Sequence, residues 1–309
     1  MKTCNRQAIS FMAGGFFILG LVCTLPAKAR PASKEKSVPS SKAGQVAAQR
    51  PSAGIDVSRM TNSESIGFLS KKEVGPWGHI FSDKTERVIL VKGDTVYVAM
   101  KRAAPNIKPG DLFTVYRQTP DVVGYLISFL GRVLLKEQLK DSGGKQTKKN
   151  LYKAKIIENY KGMRVGDPIL PFYPISSCVR PTQPDRGKLK KLKGCRDLEE
   201  CRVPIVSSKG KREIIGQFSV VYLAAGYNYG IRRGNLFEIA KKGGDDAPGT
   251  PALPDVIFGR MLILEARPDT ATGVVLSTTA EFSKVAFAKI IPWSETEGAL
   301  SVLPRCAAK

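Results

Sequence analysis

The sequence predicts an all-β protein: two tandem small β-barrel- or sandwich-like modules that follow a signal peptide and a disordered leader. From about Ile66 onward, short apolar runs rich in β-branched and aromatic residues alternate with Gly, Pro and Asp turns. Beyond the apolar N-terminus, no stretch keeps a helical period over about a dozen positions. A set of strand–turn blocks also recurs once, in the same order, later in the chain.

The chain opens with Lys2 and Arg6, an apolar run from Ala8 to Leu25, and then Ala27-Lys28-Ala29. Charge, apolar core and small residues in that order make residues 1–29 a secretory signal peptide. The rival is an uncleaved anchor, since the run approaches the ~18 residues a span needs. A lipoprotein signal at Cys23 fits less well, because Val22 stands where a small residue is expected. There is no second long apolar stretch, so a soluble, periplasmic mature protein is expected.

Residues 30–64 are rich in Ser, Ala, Pro, Lys and Arg and poor in large apolar residues, which reads as a flexible leader. The first β module is placed at 65–175. Its sample strands are Arg87–Val91, Thr95–Ala99 and Leu112–Tyr116. A basic, cysteine-containing connector takes 176–204, the second module 205–296, and a tail 297–309.

The two modules are tied by the repeat. Val96-Tyr97-Val98-Ala99 matches Val221-Tyr222-Leu223-Ala224. Pro109-Gly110-Asp111-Leu112-Phe113 matches Arg233-Gly234-Asn235-Leu236-Phe237, and Gly131-Arg132-Val133 matches Gly259-Arg260-Met261. Gly166-Asp167-Pro168 marks a closing turn in the first module. Val285-Ala286-Phe287 lacks that signal, so the second module is expected to end differently. Asp94, Asp111 and Asp167 each follow glycine and read as turn residues.

With 42% apolar and 25% charged residues the composition is that of an ordinary globular protein, but the formal charge is +22. Cleavage after Ala29 removes three cations and no acids, leaving +19. Such a surface favours anionic partners. In an envelope these are lipid head groups, lipopolysaccharide, peptidoglycan-associated polymers or acidic proteins. Nucleic acid is not expected after export. The positive charge collects in two clusters: Lys145, Lys148 and Lys149, and Arg186, Lys188, Lys190, Lys191 and Lys193. Each reads either as a partner or polyanion contact or as a solvated charge run. Leu189 and Leu192 interrupt the second cluster and would let it rest on lipid or on an apolar patch.

Cys178, Cys195, Cys201 and Cys306 survive signal cleavage. An even set in an oxidising compartment predicts two disulfides, with three possible pairings. The Cys195-x5-Cys201 spacing is not a zinc pattern, and His79 is the sole imidazole. No catalytic constellation stands out. Ser208-x-x-Lys211 lies in a turn without the partner motifs of Ser-x-x-Lys enzymes. Asp245-Asp246 reads as a hydrated loop tip. No cofactor, calcium loop or phosphate-cradling glycine loop is indicated, so a non-enzyme is expected rather than a hydrolase.

One stretch carries a resemblance. Gly75-Pro76-Trp77-Gly78-His79-Ile80-Phe81, Lys92-Gly93-Asp94-Thr95-Val96-Tyr97-Val98 and Lys108-Pro109-Gly110-Asp111-Leu112-Phe113 look like the C-terminal module of LysM-containing envelope proteins. These include the type IV pilus secretin-associated protein, and the module is similar to the C-terminal domain of the flagellar assembly protein T. The resemblance spans roughly residues 65–295. It implies a non-enzymatic barrel-like module that helps hold a secretin, pilus or flagellar ring in place. No LysM domain precedes residue 65, so peptidoglycan anchoring by that route is not implied.

Overall fold

The structure is a computed structural model, and it describes residues 54–84, 87–101, 106–140, 150–192, 195, 201–244, 253–291 and 303–306. It is an all-β chain with two closed six-stranded barrels. Strands β1 (Ile55–Asp56) and β2 (Phe68–Ser70) come first. The first barrel is β3 (Gly78–Asp83), β4 (Thr95–Met100), β5 (Leu112–Asp121), β6 (Gly124–Gln138), β7 (Leu151–Asn159) and β8 (Pro168–Pro171). Strand β9 (Cys178–Val179) and a one-turn helix α1 (Arg186–Leu189) lead into the second. That barrel is β10 (Arg202–Ser208), β11 (Val220–Leu223), β12 (Leu236–Gly243), β13 (Leu253–Ala266), β14 (Ala271–Thr278) and β15 (Phe287–Ile291).

Both barrels close along the same path. In the first the order is β6-β5-β8-β3-β4-β7, closed by β6 pairing with β7. The second runs β13-β12-β15-β10-β11-β14. All these pairings are antiparallel, so successive side chains alternate between barrel interior and exterior. Val96 and Val98, Phe113 and Val115, and Val133 and Leu135 fill the first interior. Val221 and Leu223, Phe237 and Ile239, and Met261 and Ile263 fill the second.

The duplication extends to the irregularities. The bulge at Ile80/Ser82 recurs at Ile205/Ser207, that at Val115/Tyr116 at Ile239/Ala240, and those at Arg132/Val133 and Leu135/Glu137 at Arg260/Met261 and Ile263/Glu265. Bulges let a short sheet bend far enough to close. Gly131 and Gly259 sit beside matching bulges. A Cβ on Gly131 would lie 2.2 Å from the Glu158 carbonyl oxygen, and one on Gly259 2.0 Å from that of Ser277.

Three expectations are corrected. Arg87–Val91 is not a strand: only Leu90 bridges, to Met163, and Val88, Ile89 and Val91 are exposed. Its β-branched composition mimics a strand, but the segment spans one barrel end. The second module does not end differently, because β15 occupies the place of β8. Its turn forms without the Gly-Asp signal, through the Ala286 N–H donating to the Ser283 carbonyl. Residues 54–64 are folded instead of belonging to a flexible leader. Ile55 and Val57 are fully buried, β1 pairs with β9, and Ile55 also bridges Arg305 in the tail. Two disulfides fasten this region and the connector, Cys178–Cys306 and Cys195–Cys201, as suits an oxidising compartment.

The barrels meet through a buried apolar seam. Strand β2 lies on β6, and Ile66, Leu69 and Leu126 pack on the outer face of the second barrel against Tyr222, Leu236, Leu262, Leu264 and Val274. Three hydroxyls inside the seam find partners across it. The Tyr222 hydroxyl donates to the Ile66 carbonyl and the Thr270 hydroxyl to that of Leu69, while the Ser207 hydroxyl donates to Asp121 at 2.9 Å. Burial holds the Tyr222 phenol well above its ordinary range.

Candidate functional site

The basic connector is a cap on the second barrel. Asp185 starts α1, its carboxylate accepting from the Lys188 N–H, and it also pairs with Arg232 at 3.3 Å. Leu189 is buried in the second barrel's core, together with Cys195 and Cys201, and Leu192 packs against that core. The apolar patch on which these leucines rest is therefore the protein's own. Their burial turns Arg186, Lys188, Lys190 and Lys191 outward, all exposed. These four of the eight predicted contact residues come together on one surface. Lys145, Lys148, Lys149 and Lys193 lie outside the described residues, as do Asp245 and Asp246.

Other residues singled out in the sequence have structural partners. Asp94, Asp111 and Asp167 each accept a backbone N–H three residues upstream, from Val91, Lys108 and Arg164. Asp167 further holds Arg117 in a two-oxygen ion pair at 2.8 Å. His79 is exposed on β3, its ring 6.4 Å from that of Phe81. The Ser208 hydroxyl donates to the Arg212 carbonyl, and the Lys211 ammonium reaches the Pro120 carbonyl and Asp121 across the seam. Among the described residues no group of three or more His, Cys, Asp and Glu is placed to hold a metal.

Two concavities were not foreseen. One, of about 380 Å³, is an aromatic groove at an end of the first barrel, lined by Trp77, Ile107, Phe172 and Tyr173. Tyr173 is 73% exposed. The Arg132 guanidinium stacks 4.7 Å from the Phe172 ring and pairs with Glu64 at 3.0 Å.

The other is a cleft of about 470 Å³ at the seam, where Thr61 and Lys161 face Lys209, Arg212 and Phe218. Among the described residues no carboxylate lines it. The Lys209 ammonium is half-buried and donates to a neutral group, the Ser65 hydroxyl, at 2.8 Å. Burial, with Lys161 and Arg212 nearby, holds its pKa below that of an ordinary lysine. Lys161, Lys209 and Arg212 are isolated from the two basic runs in sequence and converge only when the modules dock. Thr61 comes from the segment expected to be a leader.

The chain matches no family model and no curated protein.

Proposed function

We propose that the protein is an exported, non-catalytic accessory subunit of the bacterial envelope, a scaffold within a secretin, pilus or flagellar-type assembly in the periplasm. The observation that carries this reading is the seam. Two barrels joined by a buried apolar interface, with cross-seam hydrogen bonds from Tyr222, Thr270 and Ser207, form a spacer that resists bending. A spacer of this kind transmits position between partners, and the N-terminal signal and the two disulfides agree with export. The test is cross-linking and affinity capture of the tagged full chain from its native envelope. Enrichment of a secretin, pilus or ring component is expected. Recovery of lipid or wall fragments without such a protein overturns the reading.

A second reading, binding to a polyanion such as lipopolysaccharide or acidic lipid, rests on the outward display of Arg186, Lys188, Lys190 and Lys191. Near an anionic surface each cation contributes about 1 kcal/mol. Reversing Lys188, Lys190 and Lys191 to glutamate together would weaken binding to vesicles containing phosphatidylglycerol by about 100-fold or more. Binding that survives both this change and raised salt would rule the reading out.

A further inference from the structure

The duplication supplies an internal control for the cleft at the seam. The two barrels superpose in register through the matched bulges, with Ser82 opposite Tyr97 and Ser207 opposite Tyr222, and through the matched bridges Leu90–Met163 and Ile215–Phe282. In that register Arg212 stands where the first barrel has Arg87. There, the Arg87 guanidinium pairs with Asp94 at 3.0 Å, and its backbone N–H donates to Asp83 at 3.0 Å. In the second barrel both carboxylates are gone. Ser208 replaces Asp83 and Ser219 replaces Asp94. The turn survives, with the Ser219 hydroxyl accepting from the Gly216 N–H as Asp94 accepts from Val91. The turn is therefore served by serine as well as by aspartate, and what changes is the charge. The corner of the second barrel lines a cleft with Lys161, Lys209 and Arg212, and no acid is among the described residues that line it.

A second difference lies at the rim. Phe218 takes the place of Gly93 and keeps its left-handed backbone, with φ of 61° against 99°. A bulky residue is strained there, and such strain is retained where a side chain is put to use. Phe218 lines the cleft and is 43% exposed.

We propose that this cleft binds a phosphomonoester, with Lys161, Lys209 and Arg212 around the phosphate and Phe218 along the apolar part of the ligand. Three converging cations match a dianion better than a single carboxylate, and two of them are lysines, which act as point charges toward phosphate. Ser208, Ser219 and Thr61 belong to the same walls. The volume falls within the range of small-ligand sites.

The test is calorimetric titration of the mature protein with phenyl phosphate, inorganic phosphate and benzoate. Phenyl phosphate is expected to bind at least about tenfold more tightly than benzoate, because the site is matched to two charges. Affinity falls below pH ~6 as the phosphate takes up a proton. Ser219→Asp rebuilds the first barrel's carboxylate without disturbing the turn, and it is expected to abolish binding, as is Lys209→Met. Lys188→Glu in the cap leaves binding unchanged, which separates this site from the polyanion reading. Vesicles containing phosphatidic acid complete the experiment. Retention that is lost in Ser219→Asp identifies a lipid headgroup as the source of the phosphate, and binding confined to soluble phenyl phosphate identifies a soluble one. The proposal fails if phenyl phosphate gives no heat at millimolar concentration, if benzoate binds equally well, or if Ser219→Asp binds like the parent protein.

Discussion

Replacing both Cys178 and Cys306 with alanine opens a cross-link between residues 128 apart, whereas the Cys195–Cys201 bond joins residues only 6 apart. If a disulfide stabilises by restricting the unfolded chain, its effect grows with the logarithm of the loop it closes. That gives about 5 kcal/mol for the long loop and about 2 kcal/mol for the short one. Packing narrows the gap. Cys195 and Cys201 are buried in the second barrel's core, so their alanine pair loses roughly a further 1 kcal/mol of contact. Cys178 and Cys306 are only partly buried, although the bond is held close, since a Cβ on Gly54 would lie 2.7 Å from the Cys178 sulfur. The Cys178→Ala/Cys306→Ala protein should still lose about 2 kcal/mol more than Cys195→Ala/Cys201→Ala. Urea unfolding of the two variants, each with its remaining bond oxidised, measures this directly. The long-loop variant should also unfold with a steeper dependence on urea, because its denatured chain expands further. Equal losses, or a larger loss from the short loop with unchanged slopes, would refute the chain-entropy argument and assign the stability to local packing.

Tyr222→Phe removes the donor to the Ile66 carbonyl in the seam and should cost about 1–2 kcal/mol, read as a lower urea midpoint. Gly259→Ala forces a Cβ onto the Ser277 carbonyl beside a barrel bulge. It should cost about 2–4 kcal/mol, with Gly131→Ala close behind, measured as a fall in Tm of several degrees. Lys209 has a lowered pKa, so the folded state holds that proton less tightly than the unfolded chain does. Its contribution to stability is fully present above the ordinary lysine value and is lost as pH falls through the lowered one. Lys209→Met should accordingly gain on the parent at pH 7, with the gap narrowing toward pH 10. A gap that is constant with pH would point to packing instead of charge.

Alternation of apolar residues and Gly-Asp turns made the strands and the duplication readable, because both express local backbone requirements. Three features were hidden for a common reason. Ile55 and Val57 look like strays in a polar leader, yet they are buried by partners far away in sequence, Val179 and the tail around Arg305. Leu189 and Leu192 read as interruptions of a charge run because the barrel core that receives them is built from strands remote in sequence. The seam cleft gathers Thr61, Lys161, Lys209 and Arg212 from segments that carry no shared motif. A sequence signal for the cleft did exist. Carrying the repeat outward from the tyrosine pair sets Ser208 against Asp83 and Ser219 against Asp94, a paired loss of acids beside a retained arginine.

The same register explains why the first barrel grips the second and not a further copy of itself. Val220, Leu264 and Val274 form part of the second barrel's covered outer face. Their counterparts, fixed by the pairings Val220–Val274 and Thr95–Lys155 and by the matched glycines, are Thr95, Lys136 and Lys155. Lys136 and Lys155 are exposed. Docking another molecule's arm on that face would bury two ammonium groups against leucine side chains, at several kcal/mol per ion. Duplication alone would have made two interchangeable faces and an open-ended chain of barrels. Two lysines and a threonine on the first barrel, against valine and leucine on the second, stop this contact at one. Lys136→Leu with Lys155→Val should therefore convert this face into a self-association surface, visible as sedimentation more concentration-dependent than the parent's. A variant that sediments like the parent at every concentration would show that those two charges are not what limits the contact.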